Sequence, residues 1–308
     1  MLLFAADIAK SDFVVFDGSS DMTVANTQSD ISKYVESLPP GAMLALEPTS
    51  KYGDLLASKA YGAGLTVYVV QPTWIKAHRN SKRGRAKTDK VDARMIYDYV
   101  KDNYKNLHPW KPMEARLADL KSLVRQRFSL ADDLARMRQT YKSLEMHPTT
   151  VKLMLQGVQD AKKALDKQIA KALALFPEAK ALLSIKGVGP LIAATFLVPL
   201  MHIEFKGPDS FVGFIGIDPV PNDSGTKYGA RKISKKGDAY LRRAAYMAAF
   251  AACRRDAWKE RYKSLKDKGL KPKQALIALA KKIVTTAFHL FKMQVDFDPK
   301  MVALKKQP

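Results

Sequence analysis

Asp89 and Asp92 sit three residues apart in the segment Lys87-Thr-Asp-Lys-Val-Asp-Ala-Arg94. Thr88 is a good helix N-cap, and residues i and i+3 of a helix share a face. The spacing therefore predicts two carboxylates pointing the same way. Seven cations flank them: Arg79, Lys82, Arg83, Arg85, Lys87, Lys90 and Arg94. Acids held together inside a basic segment suggest hard divalent ions serving a phosphate substrate. Two further acids stand out by context. Asp7 lies near the end of an apolar run, and Glu47 follows Met43-Leu-Ala-Leu46, where a buried strand should end. Strand ends beside a helix face can converge in a mixed sheet. A few carboxylates plus phosphate oxygens suffice for Mg²⁺, and two such ions can activate a nucleophile and stabilise a leaving oxygen. Taken singly, each acid reads as a surface residue or a helix cap. As a set they account for the basic flank around Asp89, which is otherwise unexplained.

The elements that must position these acids can be read from the chain. Residues 2–8 and 13–16 predict two short strands. A short helix over 29–37 is stopped by Pro39-Pro40-Gly41. Strand 43–46, a helix over 52–61 and strand 65–70, ended by Pro72, follow. Helix resumes at Thr88. Strands first, then strands alternating with helices, imply a mixed sheet flanked by helices. From 113 to 144, Met113, Leu120, Leu123, Leu130, Leu134, Met137, Tyr141 and Leu144 recur on steps of three and four, with Arg116 and Arg127 as polar exceptions. That is a heptad seam. His147-Pro148 breaks it, and a looser pattern resumes over 151–176. Two long helices around a Pro turn predict a helical hairpin or coiled-coil arm, packed within one subunit or between subunits.

Length and charge limit what this chain can be. Its 308 residues suggest two or three domains, and 47% apolar residues are those of a globular protein. A net charge of +22 makes nucleic acid the leading partner. Cys253 is the only cysteine, which excludes an intramolecular disulfide framework and a Cys-based zinc cluster. The five histidines show no ligand spacing. The opening Met1-Leu-Leu-Phe-Ala-Ala reaches Asp7 too soon for a signal peptide. The most apolar window, 181–200, carries Lys186, two glycines and two prolines, so no membrane span is expected. A cytoplasmic, nucleoid-associated protein is the expectation.

Past Pro177, Ser184-Ile-Lys-Gly-Val-Gly-Pro190 resembles the turn of a helix-hairpin-helix element, whose glycines bring backbone N–H groups near a phosphate. Lys186, Gly187 and Gly189 are its candidate nucleic-acid contacts, joined by Lys82, Arg83, Arg85 and Lys87 of the first basic segment. A loop at 221–226 contains Asp223-Ser224-Gly225, by itself an ordinary turn, ahead of Lys227, Arg231 and Lys235, candidate phosphate contacts. Ser234 is a second candidate nucleophile, but inside Ile-Ser-Lys it reads more as a helix start. Residues 240–253 and 274–291 predict two further helices. Of the aromatics near basic runs, Tyr68 suits a core, while Trp74 and Trp110 could stack on bases.

Four segments resemble, in order and spacing, the successive motifs of the DEDD transposases, the one-ten family of insertion sequences that includes the pilin-gene invertase. They are Phe4-Ala-Ala-Asp-Ile-Ala-Lys10, Leu46-Glu-Pro-Thr-Ser-Lys-Tyr52, Val69-Val-Gln-Pro72 and Lys87-Thr-Asp-Lys-Val-Asp-Ala-Arg94. The second half is similar to the family's other domain through Lys186-Gly-Val-Gly-Pro190, Phe211-Val-Gly-Phe-Ile-Gly-Ile-Asp-Pro219, Ser224-Gly225 and Ile233-Ser-Lys-Lys-Gly-Asp238 with Leu241-Arg-Arg243. The resemblance implies an RNase H-like (RuvC-like) mixed-sheet domain over 1–112, in which Asp7, Glu47, Asp89 and Asp92 bind Mg²⁺. A helical coiled-coil arm over 113–176 and a mainly helical transposase domain over 177–308 would follow. It further implies that Ser224 is the nucleophile, forming a phosphoserine link to DNA. A structured guide, the bridge RNA, would pair with donor and target double-stranded DNA, and the assembly would be a tetramer built as a dimer of dimers. One departure stands out. Where the family has Arg, any residue, then Gly after the Ser-Gly pair, this chain has Gly229-Ala-Arg231, which displaces the charge by two positions. The competing reading is a Holliday-junction or other structure-selective endonuclease that uses the carboxylates and water alone.

Overall fold

A computed structural model describes residues 2–47, 52–81, 89–143, 147–220, 223–224, 227–228 and 232–301. The chain divides into two compact units, Met1–Pro112 and Met113–Pro308. The first is an α/β sandwich. Its strands are β1 (Leu3–Ile8), β2 (Asp12–Phe16), β3 (Asp21–Ala25), β4 (Met43–Leu46) and β5 (Thr66–Val69). Their spatial order is β3-β2-β1-β4-β5. The first three pair antiparallel, whereas β4 joins β1 in parallel and β5 joins β4 in parallel. The helices are α1 (Gln28–Ser37), α2 (Asp54–Gly62), α3 (Pro72–Ser81) and α4 (Asp89–Asn103).

Alternation along the strands sends side chains to two faces, and both are covered. Ile8, Leu44, Leu46 and Val67 pack with Ile31 and Val35 of α1 and with Leu56 and Ala60 of α2. Leu3, Ala5, Ala45 and Tyr68 pack with Ile75 of α3 and with Ile96 and Val100 of α4. Tyr68 is thus a core residue. Trp74 is exposed, tilted against Tyr99, and Trp110 stands edge-on to Tyr61. Thr27 caps α1, its hydroxyl accepting from the Asp30 N–H at 3.2 Å.

Two elements here go beyond the sequence reading. β3 is a half-exposed edge strand, Asp-Met-Thr-Val-Ala, with too few buried positions to signal itself. It is set by the turn before it. Asp17 Oδ1 accepts from the Ser19 and Ser20 N–H groups at 2.7 Å, and these bonds hold its carboxyl well below the usual carboxylate range. Pro72 was expected only to end a strand, but it opens α3. Proline suits a helix's first turn because that N–H has no partner to lose.

The second unit is helical, with small strands. It comprises α5 (Ala115–Ser143), α6 (Pro148–Leu173), α7 (Ala179–Leu183), α8 (Pro190–His202), α9 (Pro208–Ile215), α10 (Ala239–Ala252), α11 (Asp256–Asp267) and α12 (Pro272–Met293). Between α9 and α10 run β6 (Pro219–Val220), β7 (Asp223–Ser224), β8 (Lys227–Tyr228) and β9 (Lys232–Ile233). α8 is buried from Ile192 to Leu200, including Pro199 within it; α5, α6, α7 and α10 pack against it, and Phe211 and Ile215 of α9 and Leu279 and Ile283 of α12 share the same core. The buried side of α5 is Leu117, Leu120, Val124, Phe128 and Leu134. This differs from the predicted seam because the first half of α5 packs against α8 as well as α6. Arg127, an exception in that seam, donates to Asp166 of α6 at 2.7 Å.

α10 buries a stripe of small residues, Ala244, Ala245, Ala248, Ala249 and Ala252. Small residues allow close approach, and the α7–α8 turn uses it. Gly187 has φ +100°, and a Cβ there would stand 2.7 Å from Ala252 Cβ and 2.9 Å from the Ala248 carbonyl oxygen. Gly187→Val should therefore destabilise the second unit by about 2–4 kcal/mol and lower its melting temperature by roughly 5–15 °C. Thermal unfolding followed by circular dichroism checks this.

Candidate functional site

In the first unit, Asp7 lies within β1, and Glu47 is the first residue after β4. The last paired residues of these parallel strands are Ala6 and Leu46, so each acid follows that pair by one position. Both are half-buried. Alternation assigns Asp7 to the face of Leu3 and Ala5, and Glu47 to the face of Met43 and Ala45. That is the face covered by α4. α4 buries Ala93, Ile96 and Val100 against it. Asp92 lies one turn before Ile96 with its side chain only 13% exposed, and Asp89 is the first residue of the helix. The Asp89 side chain lies outside the described residues, as do Lys82, Arg83, Arg85 and Lys87. The register and the helix thus bring Asp7, Glu47 and Asp92 to one face of one sheet.

The two flanking cations whose side chains are described, Arg94 and Arg79, each pair with a carboxylate. Arg94 donates to Asp21 of β3 through Nε at 3.3 Å and Nη2 at 2.6 Å, and its guanidinium lies 5.0 Å from the Phe16 ring centre. Arg79 of α3 pairs with Asp92. Among the described residues, no three or more Asp, Glu, His or Cys side chains are grouped closely enough to hold a metal ion. The donor set nevertheless suits a hard divalent cation. It is all oxygen, it lies at the carboxyl ends of adjacent parallel strands, and a cationic group already sits on Asp92.

In the second unit, the α7–α8 turn leaves Lys186 and Gly189 exposed, while Gly187 is pressed onto α10. Ser184 closes the turn, donating to the Ala181 carbonyl at 2.6 Å and accepting from the Phe297 N–H at 2.8 Å. Ser224 belongs to a nested hairpin. The outer ladder pairs β6 with β9, the inner pairs β7 with β8, and Ser224 stands in register with Lys227. The side chains of Ser224, Lys227 and Arg231 lie outside the described residues.

The neck of this hairpin is held by several bonds. Ser234 does not start a helix. It follows β9, its N–H donates to the Asp218 carbonyl at 3.0 Å, and its hydroxyl donates to the Asp218 carboxylate. Lys235, exposed, has φ +56° and donates its N–H to the Gly216 carbonyl at 3.1 Å. Arg242 donates to the carbonyls of Lys235 and Gly237. Gly237 lies too close to the Phe214 carbonyl for any side chain. α5 braces the same place through two reciprocal ion pairs, Arg125 with Asp238 and Arg243 with Asp132. Between them Phe128 and Tyr240 stack at 5.0 Å.

Asp218 carries no signal in the sequence, where Arg79 reads only as one of the flanking charges. No local spacing marks either one, because their partners lie 16 and 13 residues away. Ser234→Ala should cost the neck about 1–2 kcal/mol and speed exchange of the residue-234 amide by roughly 5–30-fold. Hydrogen exchange read by mass spectrometry or NMR tests it, and unchanged exchange would show that the hydroxyl does not hold the neck.

Two family models match this chain. A DEDD transposase model of the IS110 group covers residues 7–145, and the Transposase IS116/IS110/IS902 family covers residues 179–263. The four acids fall in the first and Ser224 in the second. The pilin gene-inverting protein of Moraxella bovis is 26% identical over 267 residues, covering 84% of this chain and 82% of that protein. Its counterpart in Moraxella lacunata matches to the same extent. The insertion element IS900 uncharacterized 42 kDa protein of Mycobacterium paratuberculosis is 30% identical over 146 residues, covering 44% of this chain and 37% of that protein. No helix among the described residues is long and apolar enough to cross a membrane.

Proposed function

We propose, from the premise that this chain belongs to the DEDD transposases of IS110-type insertion sequences, that it is an RNA-guided DNA recombinase that cuts and rejoins strands through Ser224. Family membership makes it a DNA-cleaving and rejoining enzyme. The finer reading rests on the first unit. Its sheet order and its helix-covered acid face are what an RNase H-like (RuvC-like) domain requires. The observation that carries it is the β1–β4 register, which sets Asp7 beside Glu47 on the face that α4 covers. On this reading 1–112 is the metal-binding domain, 113–176 the coiled-coil arm, and 177–308 the transposase domain.

Asp7, Glu47, Asp89 and Asp92 would hold Mg²⁺. Bound there, the ion supplies Lewis-acid charge for phosphoryl transfer. Ser224 Oγ attacks phosphorus in a DNA strand. A Ser–O–P bond forms as one P–O bond of the backbone breaks, and the proton given up by the Ser224 hydroxyl is balanced by the one the leaving oxygen takes to depart as a hydroxyl. Rejoining reverses these steps, because the phosphoserine link conserves the bond energy. Lys227, in register with Ser224, fits a phosphate contact beside the nucleophile. Lys186, Gly187 and Gly189 fit a backbone grip on DNA, with Lys235 and Arg231 as further phosphate contacts. The charge of +22 suits both donor and target duplexes and a bridge RNA. Assembly as a tetramer, a dimer of dimers, completes the proposal.

Two measurements test it. Incubation of the chain with its guide RNA, DNA and Mg²⁺ should yield a covalent protein–DNA adduct, lost in Ser224→Ala and in Asp7→Asn. Cleavage without any adduct would instead indicate hydrolysis by the carboxylates and water, as in a junction-resolving endonuclease. Separately, nucleic-acid affinity should fall linearly with salt on a log–log plot, by about three to five orders of magnitude between 50 and 200 mM if some 6–10 phosphates are contacted. A flat salt dependence would refute nucleic-acid binding.

A further inference from the structure

Arg79 and Arg94 both reach carboxylates, but in different ways. Arg94 holds Asp21 with two nitrogens and lies over Phe16. That is how a guanidinium fastens one element to another. Arg79 is held less completely. Its Nη2 pairs with Asp92, with the two side chains 20% and 13% exposed. Its Nε–H is buried and finds no acceptor among the described residues. A buried donor without a partner is costly to leave unmet. An arginine selected only to tie α3 to α4 should not leave one. The unmet donor lies beside an acid that also belongs to the candidate metal set, and it needs an oxygen acceptor that the described protein does not supply.

We propose that Arg79 is a further residue of this site. It occupies the Asp92 carboxylate in place of the divalent cation and is displaced when that cation binds. It then turns its guanidinium, Nε included, to a non-bridging oxygen of the DNA phosphodiester. The inference rests on the reading of Asp7, Glu47, Asp89 and Asp92 as metal ligands. It adds a competitor that the metal must remove and a phosphate contact that appears only afterwards. The two favourable positions available to Arg79 make metal binding and substrate binding mutually supportive, since each draws the guanidinium off Asp92.

Mn²⁺ titrated calorimetrically into the full chain, without nucleic acid, tests the exchange. Arg79→Gln and Arg79→Met, two neutral variants whose folding is checked by thermal unfolding, should bind Mn²⁺ about tenfold more tightly than the native chain. Arg79→Lys, which keeps a competing charge, should stay within about threefold of it. Equal or weaker Mn²⁺ binding in the neutral variants overturns the exchange. Asp7→Asn separates the two layers. If native binding is absent, or is indifferent to Asp7→Asn, the carboxylate reading fails and this inference with it. If native binding depends on Asp7 but the neutral variants match it, the exchange alone fails. For the phosphate contact, affinity for a short DNA duplex is measured against salt in the presence of Ca²⁺. The log–log slope should lessen by about one in Arg79→Gln, and an unchanged slope overturns that assignment.

Discussion

Parallel pairing of β1 with β4 forces two carboxylates together at the ends of neighbouring strands. Strands in a sheet lie about 5 Å apart. Two like charges on neighbouring strand ends repel unless a cation lies near them. The fold cannot relieve this by shifting register, because a one-residue slip would turn Leu44 and Leu46 out of the core. α4 adds to the problem by covering the same face with a helix whose first turn carries Asp89 and Asp92. A nearby cation relieves it, and Arg79 supplies one such charge by pairing with Asp92.

The second unit answers a different requirement, that of holding the neck of a hairpin in one orientation. Two-residue ladders are too short to be rigid by themselves. The neck is therefore fixed from outside. Gly216 at φ +78° ends α9 and turns the chain, Gly237 admits the returning strand against Phe214, and the Ser234–Asp218 bonds lock the two strands together. Arg242 ties down the carbonyls, and the α5 ion pairs hold the start of α10. The register of Ser224 with Lys227 is set at the end of this chain of supports. The order of the hairpin's neck thus comes from the helices that flank it, α5, α9 and α10.

Local pattern alone settled much of this protein. The apolar runs of β1, β4 and β5 are legible because strands buried on both faces need unbroken apolar residues. The i, i+3 spacing of Asp89 and Asp92 and the glycines of the α7–α8 turn are chemistry encoded within a few positions, and they carry the family relation. Tertiary structure decided what depends on partners far along the chain. β3 exists because β2 offers it an edge, not because its own residues demand a strand. Ser234 serves the neck because Asp218 returns to meet it, and α5 shifts its buried side because α8 packs against it. Arg79 looks like one more solvated cation until α3 folds and brings it to Asp92. A sequence states what each side chain can do, but a pairing across 13 residues or more is fixed only when burial makes an unpaired charge too costly to leave.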